Sequence, residues 1–210
     1  MLQVPGVEDS TVREVIWRSW EGPGLEYLRL AERADDIDAD VLMVDLYEYG
    51  AFRLRYRIAC DTEWRVRQVR LGPIDGKHKL DLSANGEGRW FDKDGLPIAE
   101  LEGCVDVDVS GSPFTNTLPI RRLQLQPGQS ADLPIAYIFV PTLQIERHMQ
   151  RYTCLEAGPE GGLYRFEALN SGYTALLPVD TNGLVMDYPE LSRRSWISEY
   201  RTVREGDRAT

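Results

Sequence analysis

Histidine is scarce in this sequence. Only His78 and His148 occur among 210 residues. Neither forms an HxH or HxxxH pair, so histidine-based metal binding finds no support. Both sit among charged neighbours, in Lys77-His78-Lys79 and Glu146-Arg147-His148, and read as surface or structural residues. Cysteine is scarce too. Cys60, Cys104 and Cys154 are odd in number and widely spaced, which excludes a disulfide framework and a CxxC metal pair. The longest apolar stretch, Ile135–Val140, is far too short to span a bilayer. The first residues have no basic start and no apolar run, so no secretion signal is expected and a cytoplasmic location is. GxSxG, GxxxxGK[ST] and GxGxxG motifs are all missing, which disfavours α/β hydrolases and nucleotide enzymes.

A basic surplus is missing as well. Lysine and arginine total 24 against 34 aspartates and glutamates, a net charge of −10. That balance argues against nucleic acid as a partner and against docking on an anionic membrane surface.

What the chain does have is a period of two. In Ala51–Cys60, Phe52, Leu54, Tyr56, Ile58 and Cys60 alternate with Arg53, Arg55 and Arg57. That is a strand with one dry face and one wet face. The next segment starts in the same phase with Trp64 and Val66, then slips so that Val69 and Leu71 are the apolar pair, the mark of a β-bulge. Leu118–Leu125 slips similarly at Arg121-Arg122. Further strands are expected at Leu25–Ala31, Val41–Leu46, Leu80–Ala84, Val105–Val109, Ile135–Val140, Leu163–Leu169 and Tyr173–Val179. Gly/Asn/Asp turn signals such as Asn85-Gly86 and Asn182-Gly183 separate them. Gln144–Tyr152 could be a short helix and Pro189–Arg194 a short turn, and Val12–Trp20 fits either period. No linker divides the chain. The expectation is one all-β domain over 1–210, ordered from about 12 to 203. Its architecture is a strongly bent antiparallel sheet or barrel, with at most short helices.

Two constellations could carry chemistry. Asp106 and Asp108 share a strand face opposite Val105, Val107 and Val109, roughly 6–7 Å apart at ~3.3 Å rise per residue. Paired carboxylates at such distances suit glycosidic acid–base work; the plainer reading is a wet strand face. The second is Gly111–Leu123, with two prolines, Phe114, Thr115, Asn116, Thr117 and the pair Arg121-Arg122. Either arginine could clamp a carboxylate bidentately, a ligand's or that of Asp106 or Asp108. A rigid polar loop beside a dry sheet face suits a ligand with a polar head and an apolar body, and equally suits a structural corner. The five tryptophans read mainly as core, and the ten tyrosines show no pattern.

Gly103-Cys-Val-Asp-Val-Asp-Val-Ser-Gly-Ser-Pro-Phe-Thr-Asn-Thr-Leu-Pro-Ile-Arg-Arg-Leu123 resembles the signature of the putative glycolipid-binding family of bacterial proteins. Gly88-Arg-Trp90, the Trp64 strand, Gln150-Arg-Tyr-Thr153, Val179-Asp-Thr-Asn-Gly-Leu-Val185 and Tyr188-Pro189 resemble its other motifs, so the likeness covers roughly residues 15–195. The resemblance implies a curved antiparallel sheet with an apolar concave face, similar to lipoprotein carriers, and binding of a glycolipid or lipid there. On chemical grounds the expected ligand-binding residues are Asp106, Asp108, Thr115, Asn116, Arg121, Arg122, Gln150, Arg151 and Tyr152. No catalytic residue, metal or cofactor is assigned. The expected partner is an amphipathic small molecule, without nucleic acid and without stable membrane insertion. The alternatives are a structural or partner-binding β domain and, less favoured, a hydrolase using Asp106 and Asp108.

Overall fold

A computed structural model describes residues 10–47, 50–76 and 79–202; His78 lies outside the described residues. The chain is mostly strand, in two sheets. In chain order, the first seven strands are β1 (Ser10–Ser19), β2 (Leu25–Glu32), β3 (Ile37–Tyr47), β4 (Gly50–Cys60), β5 (Val66–Pro73), β6 (Leu80–Ala84) and β7 (Trp90–Phe91). The others are β8 (Asp106–Val109), β9 (Ser130–Ile138), β10 (Ile145–Gly158), β11 (Gly161–Ala168), β12 (Tyr173–Val179), β13 (Asp187–Tyr188) and β14 (Ser192–Thr202).

The larger sheet has nine strands in the order β13-β14-β1-β2-β3-β4-β5-β6-β7. Every neighbouring pair in it is antiparallel. The alternation that marks β4 in the sequence is its burial pattern: Leu54, Tyr56, Ile58 and Cys60 are buried and Arg53, Arg55 and Arg57 exposed. The phase slip after Val66 is a bulge, because Cys60 pairs with Val66 and Ala59 with Gln68. Arg67 is the extra residue, and Val66 and Val69 both remain buried.

The smaller sheet, in the order β12-β11-β10-β9-β8, curls into a half-barrel. Its last pair departs from the antiparallel expectation, since β8 runs parallel to β9. Parallel neighbours cannot be joined by a tight hairpin and need a crossover of a dozen or more residues. Residues 110–129 make that crossover. This is why Leu118–Leu125 is not a strand: Thr117–Leu123 is a short helix, α1, preceded by a 3-10 turn at Phe114–Asn116. Pro119 sits in the first turn, where its missing N–H is not needed. Gln124 ends the helix in the left-handed conformation. Gln144–Tyr152 reverses the other way, from possible helix to the first half of β10. Ile145, Met149 and Tyr152 do fall at helical spacing, but Gln150, Tyr152 and Cys154 are the buried alternating set. Ser192–Arg194, read as part of a turn, opens β14.

Strands β8 and β9 serve both sides. Val107, Val109, Ala136 and Ile138 join the core of the larger sheet with Trp17, Leu28, Tyr56, Trp90, Phe114 and Leu118. The half-barrel has its own core, in which Tyr152, Tyr164, Phe166, Leu177 and Val179 pack against Ile120 of α1, Val185 and Tyr188. The concave face is therefore not the open apolar hollow that the family resemblance implies. Ile120 of the crossover helix packs into it, and clefts remain toward both ends of its strands. Among the described residues, no helix is long and apolar enough to cross a membrane.

Candidate functional site

One end of the half-barrel holds a cleft of about 510 Å³, within the about 300–1,000 Å³ range of small-molecule sites. Five of the residues expected from the sequence meet there in one hydrogen-bonded network. Asp108 of β8 accepts from the Thr115 hydroxyl at 2.7 Å and from Gln150 Nε2 at 2.6 Å. The Tyr152 hydroxyl donates to Asn116 Oδ1 at 2.9 Å and lies 3.3 Å from Gln150 Oε1. Asp108, Asn116 and Gln150 line the cleft, while Thr115 and Tyr152 support them from behind.

Asp108 is not on a wet face. Its strand face points into the half-barrel, and burial raises the carboxyl pKa, with Thr115 and Gln150 partly opposing the rise. Burial likewise lifts the Tyr152 phenol well above its usual range. A half-buried carboxylate held by two neutral donors is a fixed acceptor whose remaining lone pairs can take further donors.

Aromatic rings form the walls. Tyr137 and His148 stack at 4.6 Å between centroids with 5° between planes, and Phe139 meets both edge-on. Phe166, Tyr173 and Tyr188 cluster at 6.3 Å separations on the other strands. All six line the cleft. None stands out in the sequence as a candidate. Tyr137 of β9 and Phe139 just beyond it are two apart, and His148, Gln150 and Tyr152 follow one another by the same step on β10. The signal is thus a period of two, written in aromatic and polar residues instead of aliphatic ones.

The other expected residues lie elsewhere. Asp106 is fully buried and forms a bidentate pair with Arg122, whose Nε and Nη2 approach at 3.0 and 2.6 Å. Burial raises the Asp106 carboxyl pKa and Arg122 partly offsets this. That ion pair locks α1 onto β8 and does not line the cleft. Arg121 binds Glu32 and the Asn182 carbonyl and lies over the Trp64 ring at 4.5 Å. Arg151 points to the outer face and pairs with Asp132 at 2.5 Å. The two aspartates do not converge on one opening, so the paired-carboxylate hydrolase loses its geometric basis.

The family motifs acquire physical roles. Gly88 lies against Gly103, with the Gly103 N–H donating to the Gly88 carbonyl at 2.8 Å. Trp90 Nε1 donates to the Cys104 carbonyl at 2.7 Å. Asp180 accepts from the N–H groups of Asn182 and Leu184, shaping the turn that carries Gly183 beneath Arg121.

The family model described as putative glycolipid-binding matches residues 14–194. The chain belongs to that family. It is also similar to the crystal structure of a DUF1089 family protein from Pseudomonas aeruginosa. The two share 36% sequence identity with a TM-score of 0.73, over 93% of this chain and 99% of that one. Among curated proteins, none matches.

Proposed function

We propose that this member of the glycolipid-binding family holds the sugar head of an amphipathic ligand in the aromatic cleft, without transforming it. The observation that carries the reading is the pairing of two aromatic walls with a polar floor of Asp108, Asn116 and Gln150. A sugar ring needs both. Its C–H faces stack on aromatic rings, and its hydroxyl rim needs fixed donors and acceptors. A bare acyl chain would find the floor's polar groups an obstacle, since it cannot hydrogen-bond them. The cleft is small for a whole lipid, which favours capture of the head.

Titration calorimetry with methyl β-D-glucoside and methyl β-D-galactoside tests this, together with mass spectrometry of lipids extracted from purified protein. The expected result is saturable binding that Tyr173→Ala and Gln150→Ala weaken about tenfold or more, in line with the loss of one stacking or hydrogen-bonding group. Glycoside binding that neither substitution changes would overturn the reading.

A further inference from the structure

Ser110, Gly111 and Leu191 line the cleft, and the same three residues line a second cavity of about 230 Å³. The two spaces therefore adjoin across the Ser110-Gly111 ridge. The second cavity lies against the inner face of the larger sheet. Its walls include Trp17, Leu25, Met43, Phe52 and Val140. An apolar cavity of about 150 Å³ accommodates a benzene-sized guest, so this one has room for a short run of methylenes.

One buried carboxyl lines this cavity. Glu26 stands on β2 between its cross-strand neighbours Trp17 and Met43. Its Oε1 accepts from the Ser112 hydroxyl at 3.1 Å and from the Phe114 N–H at 3.4 Å. Its Oε2 has no hydrogen-bond partner among the described residues. An unmatched buried oxygen is costly and is retained where something else satisfies it. Burial pushes the Glu26 carboxyl up to about 8, with Asp108 adding to the rise and Ser112 and Phe114 opposing it. At neutral pH the group is thus uncharged and carries a proton that no described neighbour accepts. The titratable groups facing it are Tyr56 of β4, which shares Ser112 with it at 2.7 Å, and Asp108 of β8. Arg18 of β1 and Asp45 of β3 line the same cavity.

We propose that this cavity is the second compartment of the same site, where Glu26 donates a hydrogen bond to an uncharged oxygen at the head-to-chain junction of a glycolipid and the apolar walls take the first methylenes. The inference rests on the sugar reading of the aromatic cleft. It adds the portion of the ligand beyond the sugar: an ether, ester or hydroxyl oxygen, then a short stretch of chain.

Methyl and octyl β-D-glucoside, the latter below its micellar concentration, separate the two compartments when titrated between pH 6.5 and 9.5. The octyl compound is expected to bind about tenfold or more tighter at pH 6.5, because buried methylenes add affinity. That advantage shrinks as pH rises through about 8, because an ionised Glu26 would face the methylenes that only the octyl compound brings. Glu26→Gln keeps the advantage and removes its pH dependence, since the amide still donates. Leu46→Trp, at an exposed position lining the cavity, reduces octyl binding and leaves methyl binding alone. Any effect of Asp108 appears equally with the methyl compound. Equal affinities for the two glucosides overturn the proposal and leave the sugar reading standing. So does an octyl advantage in the unsubstituted protein that is indifferent to pH, or one that grows with pH. If neither glucoside binds, both fall.

Discussion

Gln150 reaches from β10 across β9 to donate a 2.6 Å hydrogen bond to Asp108 on β8. Two strand spacings and a register offset separate them, since Asp108 is level with Tyr137 and Glu146 while Gln150 pairs with Leu133, about 16 Å on a flat sheet. The inward curl of the half-barrel shortens that path. The same curl faces Tyr137, His148, Phe166 and Tyr173 toward one opening. Replacing Gln150 with leucine should leave one Asp108 oxygen unmatched and remove the neighbour of the Tyr152 hydroxyl. The expected loss is about 1–3 kcal/mol, measured by urea unfolding at pH 7.

Arg122 and Asp106 form a buried ion pair. Removing one partner strands the other charge, so Arg122→Ala should cost about 3 kcal/mol or more. The double variant Asp106→Leu/Arg122→Met should lose less than the single one. A double-mutant cycle by chemical denaturation reads the difference.

Glu26 links stability to pH. Its folded-state pKa is raised from 4.5 to about 8, so the folded protein holds a proton that the unfolded chain has released. The stability this contributes is complete below about pH 4.5 and is lost as pH rises toward 8, by about 1.4 kcal/mol per pH unit. Glu26→Gln removes the dependence. Its melting temperature should match that of the unsubstituted protein near pH 4 and exceed it increasingly up to pH 8.

Gly88 has φ +93°, and a Cβ there would lie 2.7 Å from the Gly103 Cα. Neither backbone can yield without breaking their hydrogen bond. Gly88→Ala should therefore destabilise by roughly 2–3 kcal/mol. Gly95→Ala, at similar φ with open space around it, should cost clearly less in the same thermal melts.

Arg151→Ala should leave both stability and glycoside affinity unchanged. Its pair with Asp132 is on the exposed outer face of β10, where ion pairs contribute little.

The alternation in β4, the bulge in β5 and the turn signals were legible because local backbone geometry sets them. Asp108, Thr115, Asn116, Gln150 and Tyr152 could be chosen as candidates from residue type alone. Their meeting could not be, since Thr115 and Gln150 lie far apart in sequence and come together only through the crossover. Arg121, Arg122 and Arg151 have the same side chain in the sequence. Burial against Glu32 and Asp106, or exposure beside Asp132, gives them different places.

By itself the sequence determined that this chain is built of short strands with one dry face, because side-chain alternation is a property of the extended backbone and needs no distant partner. The tertiary structure alone decided that β8 pairs parallel with β9, that Ile120 of α1 packs into the half-barrel, and that an aromatic cleft and the Glu26 cavity remain open. Those outcomes depend on which surfaces exclude water together, and that is settled only when segments distant in sequence are packed against one another.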